Sequence, residues 1–312
     1  MIGPGEDQAS SLRRLLGGST LRSAVFLGGD AGVGQTALVA ATATAMARLG
    51  HAVVVVDAQP HLRSGAGWFD LFPRGDLADV LYGERRLDDV LLHAAGGVSW
   101  LPAARLGPAA GRSAADVPVA RALSELAARF DCVLLDVPAD RADRWWPAAA
   151  GAGSVLLGSS TAQRSITAAY AALKLLALQV GQQRYLWWMA RTAEPDAAEA
   201  AWQKVAQTAR RFLQVRIDYG GAVPADPMVP RAQRLRRPLA EAFPGSRAAA
   251  AGAALAGLLD RPVALGTDPS AAWRALLVGE PAFGADPAQN KRPQAPDPSP
   301  SSVSARTELV SR

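Results

Sequence analysis

A chain of 312 residues, 49% of them hydrophobic, can fill a sizeable core, so its composition excludes a fibrous or wholly disordered protein. The formal charge is +5, yet only Lys174, Lys204 and Lys291 are lysine; arginine spread through an Ala-, Gly- and Pro-rich chain reads as compositional drift, and no specific nucleic acid partner is expected. Cys132 is the only cysteine, which excludes an internal disulfide and fits a reducing cytoplasm, and neither a long apolar run nor a charged-then-apolar leader argues for a membrane span or a signal peptide.

In chain order, residues 1–22 hold Ala9, Leu12 and Leu16 at helical spacing with Arg13 and Arg14 alongside, which predicts a short amphipathic helix outside the core. A sheet domain is expected over 23–262. Its apolar runs are AVFLG, AVVVVD, VSWLPA, CVLLDVP, SVLLGSS, YLWWMA and VRIDYGGAVP, with helical patterns between several of them. Runs that are apolar throughout, alternating with helices, predict an α/β fold with a mostly parallel sheet covered by helices on both faces. Ala248–Leu259 reads as a closing helix of small residues. Within 263–280, SAAWRALLV is a second short helix with Trp273, Leu276 and Leu277 on one side. The stretch 281–312 opens with six prolines in twenty residues and ends Ser-rich, a composition that cannot offset its ordering entropy, so disorder is expected. Cys132 is read as a buried strand thiol, and His51, His61 and His93 as surface or loop residues without metal-ligand spacing.

The stretch GGDAGVGQT, Gly28 to Thr36, lies between the first strand pattern and a helix expected from Thr36 to Leu49. Gly29-x-x-x-x-Gly34-Gln35-Thr36 has the spacing of a phosphate-binding loop with glutamine at the lysine position. In such a loop backbone N–H groups and the helix N-terminus face the phosphates. Asp136, ending CVLLD, stands where an open sheet holds a magnesium-bound water. The candidate nucleotide residues are Gly29, Gly32, Val33, Gly34, Gln35, Thr36, Asp57, Asp136 and Arg191, with Thr36 and Asp136 the Mg2+ candidates if nucleotide binds.

This order of elements resembles the MinD/ParA group of deviant P-loop ATPases, whose loop reads Lys-Gly-Gly-x-Gly-Lys-Thr. The resemblance puts the group's signature lysine at Asp30 and its loop lysine at Gln35, so both cations are absent. The second carboxylate of the group's Asp-x-Asp motif falls on Gln59, and its adenine-reading asparagine falls on Ala190, with Arg191 retained. A lysine–phosphate bond is worth about 1.5 to 3 kcal/mol. Transition-state cations are worth on the order of a thousandfold in rate. The expectation is therefore weak ATP or ADP binding with Mg2+, and negligible hydrolysis. A dimer made by exchanging the signature lysine across ATP cannot form with Asp30.

Further segments narrow the resemblance to the FlhG (FleN, YlxH) family of flagellar number and placement regulators. DLADVLYGERRLDDVLLHAAGGVSWLPAA, SITAAYAALKLL and GGAVPADPMVPRAQRLRRPLAEAFPGS each resemble a family segment, over roughly residues 7–260, with Ala168 where the family carries aspartate. Asp7-Gln8-Ala9-Ser10-Ser11-Leu12-Arg13 is similar to the family's Asp-Gln-Ala-x-x-Leu-Arg helix. The resemblance implies that Asp7, Gln8, Ala9, Leu12 and Arg13 bind the GTPase FlhF and stimulate its GTP hydrolysis. A glutamine amide suits that role because it can orient an attacking water. It also implies a cytoplasmic protein peripheral to the inner membrane at the cell pole, with a flagellar transcription regulator or basal-body component as further partner. The membrane-contact candidate is SAAWRALLV, although that segment reads better as a helix packed back on the domain. Two alternatives stay open: an active MinD/ParA-like ATPase, and a cargo-positioning relative such as a BcsQ-type cellulose secretion factor or a DNA-partition protein.

Overall fold

A computed structural model describes residues 21–29, 32–60, 64–106, 116–181, 184–192, 194–260 and 269–278. The expectations for residues 1–20, Asp30, His61 and the segment 281–312 lie outside these.

Strand β1 (Arg22–Gly28) leads into helix α1 (Gln35–Arg48) and strand β2 (Val53–Asp57). A 3-10 turn (Gly65–Phe69) and short helices α2 (Leu77–Leu81) and α3 (Leu87–Val90) precede β3 (Leu92–His93) and β4 (Val98–Pro102). Then come α4 (Val117–Arg129), β5 (Cys132–Val137), α5 (Trp146–Gly151), β6 (Ser154–Ser160) and α6 (Gln163–Gln179). Next are β7 (Tyr185–Thr192), α7 (Pro195–Phe212), β8 (Ile217–Pro224), α8 (Met228–Leu235), α9 (Leu239–Ala242), α10 (Arg247–Leu259) and α11 (Pro269–Leu277).

The eight strands form one sheet in the order β3-β4-β2-β5-β1-β6-β7-β8. Every neighbouring pair is parallel except β3 with β4, a two-residue antiparallel edge that the sequence reading did not separate from its surroundings. The central strands are apolar throughout because both faces are covered. Side-chain alternation divides them: Val25, Leu27, Val54, Leu135 and Trp187 enter the core under α4 to α7, while Ala24, Phe26, Val55, Leu134 and Trp188 enter the core under α1 and α10. Helix α4 shows why one stripe suffices, since its Val119, Ala122, Leu123 and Leu126 recur at helical spacing and are the residues buried.

Helix α11 packs on α4 and α5. Trp273, Leu276 and Leu277 are buried in the main core, so the apolar side of the membrane-contact candidate is turned inward. Cys132 is fully buried, and burial pushes its thiol well above the ordinary range. His51 departs from the surface reading. It is largely enclosed between Asp260, whose carboxylate lies 2.7 Å from Nε2, and Asp131, 3.6 Å from Nδ1. The Asp131 and Asp260 carboxylates raise its pKa against the opposing effect of burial. Among the described residues no helix is long and apolar enough to cross a membrane.

Candidate functional site

In an open parallel sheet, ligands bind beyond the carboxyl ends of the strands, where successive connections run to opposite sides. Here that point is β1, flanked by β5 and β6. The parallel register sets Phe26 beside Asp136 and Asp136 beside Asp57, so two carboxylates end neighbouring central strands. Gly32 and Gly34 turn the chain from β1 into α1. Gly34 caps the helix at φ +93, and a Cβ added there would meet no atom within 4 Å, so the turn leaves an open face. The cleft above it measures about 440 Å³ and is lined by Gly28, Gly32, Val33, Gly34, Gln35, Thr36 and Ala37, with Gln59, Trp68, Val229 and Gln233 around them.

Gly29 has a different task from the other loop glycines. Its N–H donates to the Gly158 carbonyl at 2.8 Å, and a Cβ there would lie 2.7 Å from both Ala169 Cβ and the Ser165 carbonyl. It lets the loop pack against α6.

Gln35, at the lysine position, is buried. Its Nε2 donates to Asp136 Oδ1 at 2.6 Å, to the Val137 carbonyl at 2.8 Å and to the Phe26 carbonyl at 3.1 Å. Gln59 Nε2 donates to the same Asp136 Oδ1 at 3.0 Å. Two neutral amides from the loop and from the end of β2 thus converge on one carboxylate oxygen. Asp136 Oδ2 is buried without a hydrogen-bond partner; the Thr36 hydroxyl lies beside the carboxylate and favours its charged form without closing a bond to that oxygen. Burial nevertheless holds the Asp136 carboxyl above its ordinary pKa.

Asp57 is satisfied from its own segment. Its Oδ2 accepts from Ser64 Oγ at 2.7 Å and from the Gly65 N–H at 2.9 Å, and its Oδ1 accepts from the Gln59 N–H at 3.0 Å. Burial and the neighbouring Asp136 charge push its pKa up to about 7, more than these bonds recover. Ser64, Gly65, Trp68 and Gln233 belong to the site although no sequence signal marked them: they come from a loop and from a helix far along the chain.

The sequence-derived candidates Val33, Gly34, Gln35, Thr36, Asp57 and Asp136 are gathered at the carboxyl ends of the central strands. Arg191, exposed and with φ +52, lines an adjoining apolar cleft of about 470 Å³ with Ala37, Leu38, Val223 and Pro224. Ala190, at the adenine-reading position, is buried in the core. Asp7, Gln8, Ala9, Leu12 and Arg13 lie outside the described residues.

The antiactivator FleN of Pseudomonas aeruginosa is 33% identical over 240 residues, covering 75% of this chain and 84% of that protein. The chain belongs to the FleN (FlhG) family. A family model described as cellulose biosynthesis protein BcsQ also matches, over residues 23–156. MinD of Pyrococcus horikoshii, complexed with Mg-ADP, superposes with a TM-score of 0.59 at 19% identity over 77% of this chain and 96% of that one. MinD of Aquifex aeolicus gives 0.56 at 23%, over 76% and 96%. This FleN-family chain therefore has the MinD fold, and in its strand-to-helix turn the Gln35 amide is turned inward onto Asp136 and two strand carbonyls.

Proposed function

We propose that this chain is a regulator of flagellar number and placement that works through protein contacts, with its nucleotide site kept as scaffold. The observation that carries the reading is Gln35. A loop lysine would extend a positive charge toward phosphate, whereas the Gln35 amide is spent on Asp136 and two strand carbonyls. The backbone turn at Gly32 and Gly34, with Thr36 and the unpaired Asp136 Oδ2, still fits a nucleotide phosphate and a hydrated Mg2+. Were ATP or ADP bound there, Thr36 and Asp136 would hold its Mg2+, which would supply positive charge beside the phosphates. The residues present do not fit hydrolysis, since neither Gln35 nor Gln59 offers a cation or a carboxylate to the reaction.

In this reading Asp7, Gln8, Ala9, Leu12 and Arg13 engage FlhF, and Gln8 orients the water that attacks FlhF-bound GTP. A flagellar transcription regulator is the further partner, in keeping with the antiactivator role named for the P. aeruginosa relative. Contact with the inner membrane through α11 would require its buried Trp273 to leave the core. The BcsQ match supports a second reading, a cargo-positioning ATPase. Steady-state ATP turnover separates the two. The regulator shows none above that of its Asp136→Ala variant; turnover abolished by Asp136→Ala would establish the ATPase.

A further inference from the structure

The turn-and-loop segment 64–75 and helix α8 meet beside the phosphate cleft. Arg231, Arg234, Arg236 and Arg237 are exposed along α8 and the turn after it, and Arg74 is exposed on the stretch that follows the 3-10 turn. Among the described residues one carboxylate answers these five cations: Asp70, paired with Arg236. The acids that flank α8 in sequence are engaged elsewhere. Asp226 accepts from the Met228 N–H at 2.8 Å, Ser246 Oγ at 2.7 Å and the Ala248 N–H at 3.1 Å, while the Glu241 carboxylate lies against Gly96.

A row of arginines alone would be an ordinary solvated face. Here the same two segments also expose two large apolar side chains, Phe72 at 68% and Leu235 at 57%. Each lies within two residues of the Asp70–Arg236 pair, and both members of the pair sit at positive φ, 59° and 51°. The pair thus brings together the two turns beside which Phe72 and Leu235 are exposed. Exposed aromatic and aliphatic groups among arginines are the composition of a protein contact, where arginine and aromatic residues carry much of the energy.

We infer that this surface, built by Phe72, Arg74, Arg231, Arg234, Leu235 and Arg237, docks an acidic, apolar-studded segment of a partner protein. Charge complementarity selects the occupant. A second copy meeting this face about a two-fold axis would set arginine against arginine. Duplex DNA would satisfy the arginines and leave Leu235 uncovered. The residues of this site are other than those proposed to bind FlhF, and its two elements also carry Trp68, Val229 and Gln233, which line the cleft.

The test uses the full chain and three fluorescent probes in an anisotropy titration: a short amphipathic peptide with glutamate on one face and leucine and phenylalanine on the other, polyglutamate of equal length, and a short DNA duplex. The amphipathic peptide should bind about tenfold or more tightly than either other probe, and the Arg234→Glu/Arg237→Glu variant should weaken it by about tenfold or more. Phe72→Ala and Leu235→Ala should each weaken it severalfold, while Arg216→Ala, at a side chain 91% exposed elsewhere, should not. All of these positions are exposed, so unchanged thermal melts will show that the variants fold. Equal binding of polyglutamate, tighter binding of DNA, or indifference to charge reversal would overturn the inference.

Discussion

The smallest change with the largest consequence is Gln35. Its amide is the donor for a buried carboxylate and two buried carbonyls, so Gln35→Ala strands acceptors that have lost water and gained nothing. Denaturant unfolding should show a loss of about 1 to 3 kcal/mol. Gln35→Lys should restore a charge-assisted phosphate contact and tighten ATP binding by about ten- to a hundredfold in calorimetry, with turnover still absent because Gln59 is no carboxylate. Asp57 gives a pH signature. Its folded pKa, about 7, lies above the ordinary aspartate value, so its contribution to stability is fully present below that ordinary value and is lost as pH rises through about 7. The melting temperature should therefore fall from mildly acidic pH to neutrality, and Asp57→Asn should flatten that slope; the dependence due to His51, Asp76 and Asp136, whose pKa values are also raised, will remain. At this scale the sequence disclosed which charges were missing, by position in the loop. It could not disclose where Gln35 points, because that depends on Asp136 and Val137 arriving from a strand a hundred residues away.

At the scale of elements, the strands were legible because burial on both faces leaves runs such as Val53–Val56 with no polar interruption. The edge strand β3 was not, since two residues carry no period. The short helices α2 and α3 were equally obscure, being held by local capping at Asp76 and Asp89 and by their packing more than by propensity. Helix α11 could be read two ways from nine residues, and tertiary contact decides between them. Trp273 is fully buried, so Trp273→Ala should cost about 3 to 5 kcal/mol in chemical denaturation. The intact chain should not float with anionic vesicles in a sucrose gradient. Flotation abolished by Trp273→Ala would instead show that α11 leaves the core to meet lipid.

For the whole molecule, the fold is that of MinD, while the positions at which the MinD/ParA resemblance expects two lysines and a second carboxylate carry Asp30, Gln35 and Gln59. Gln35 and Gln59 join the loop, β2 and β5 through Asp136, so one arrangement should persist with or without ATP. Sedimentation across concentrations should give the same association state in both conditions, and an ATP-induced dimer would contradict this. The chain is proposed to regulate a partner GTPase without using ATP itself. The most direct test is GTP hydrolysis by FlhF measured with the full chain, with and without ATP, beside a Gln8→Ala variant. Stimulation should be equal in both conditions and lost in the variant. No stimulation, stimulation indifferent to Gln8, or stimulation only when ATP is present would contradict it.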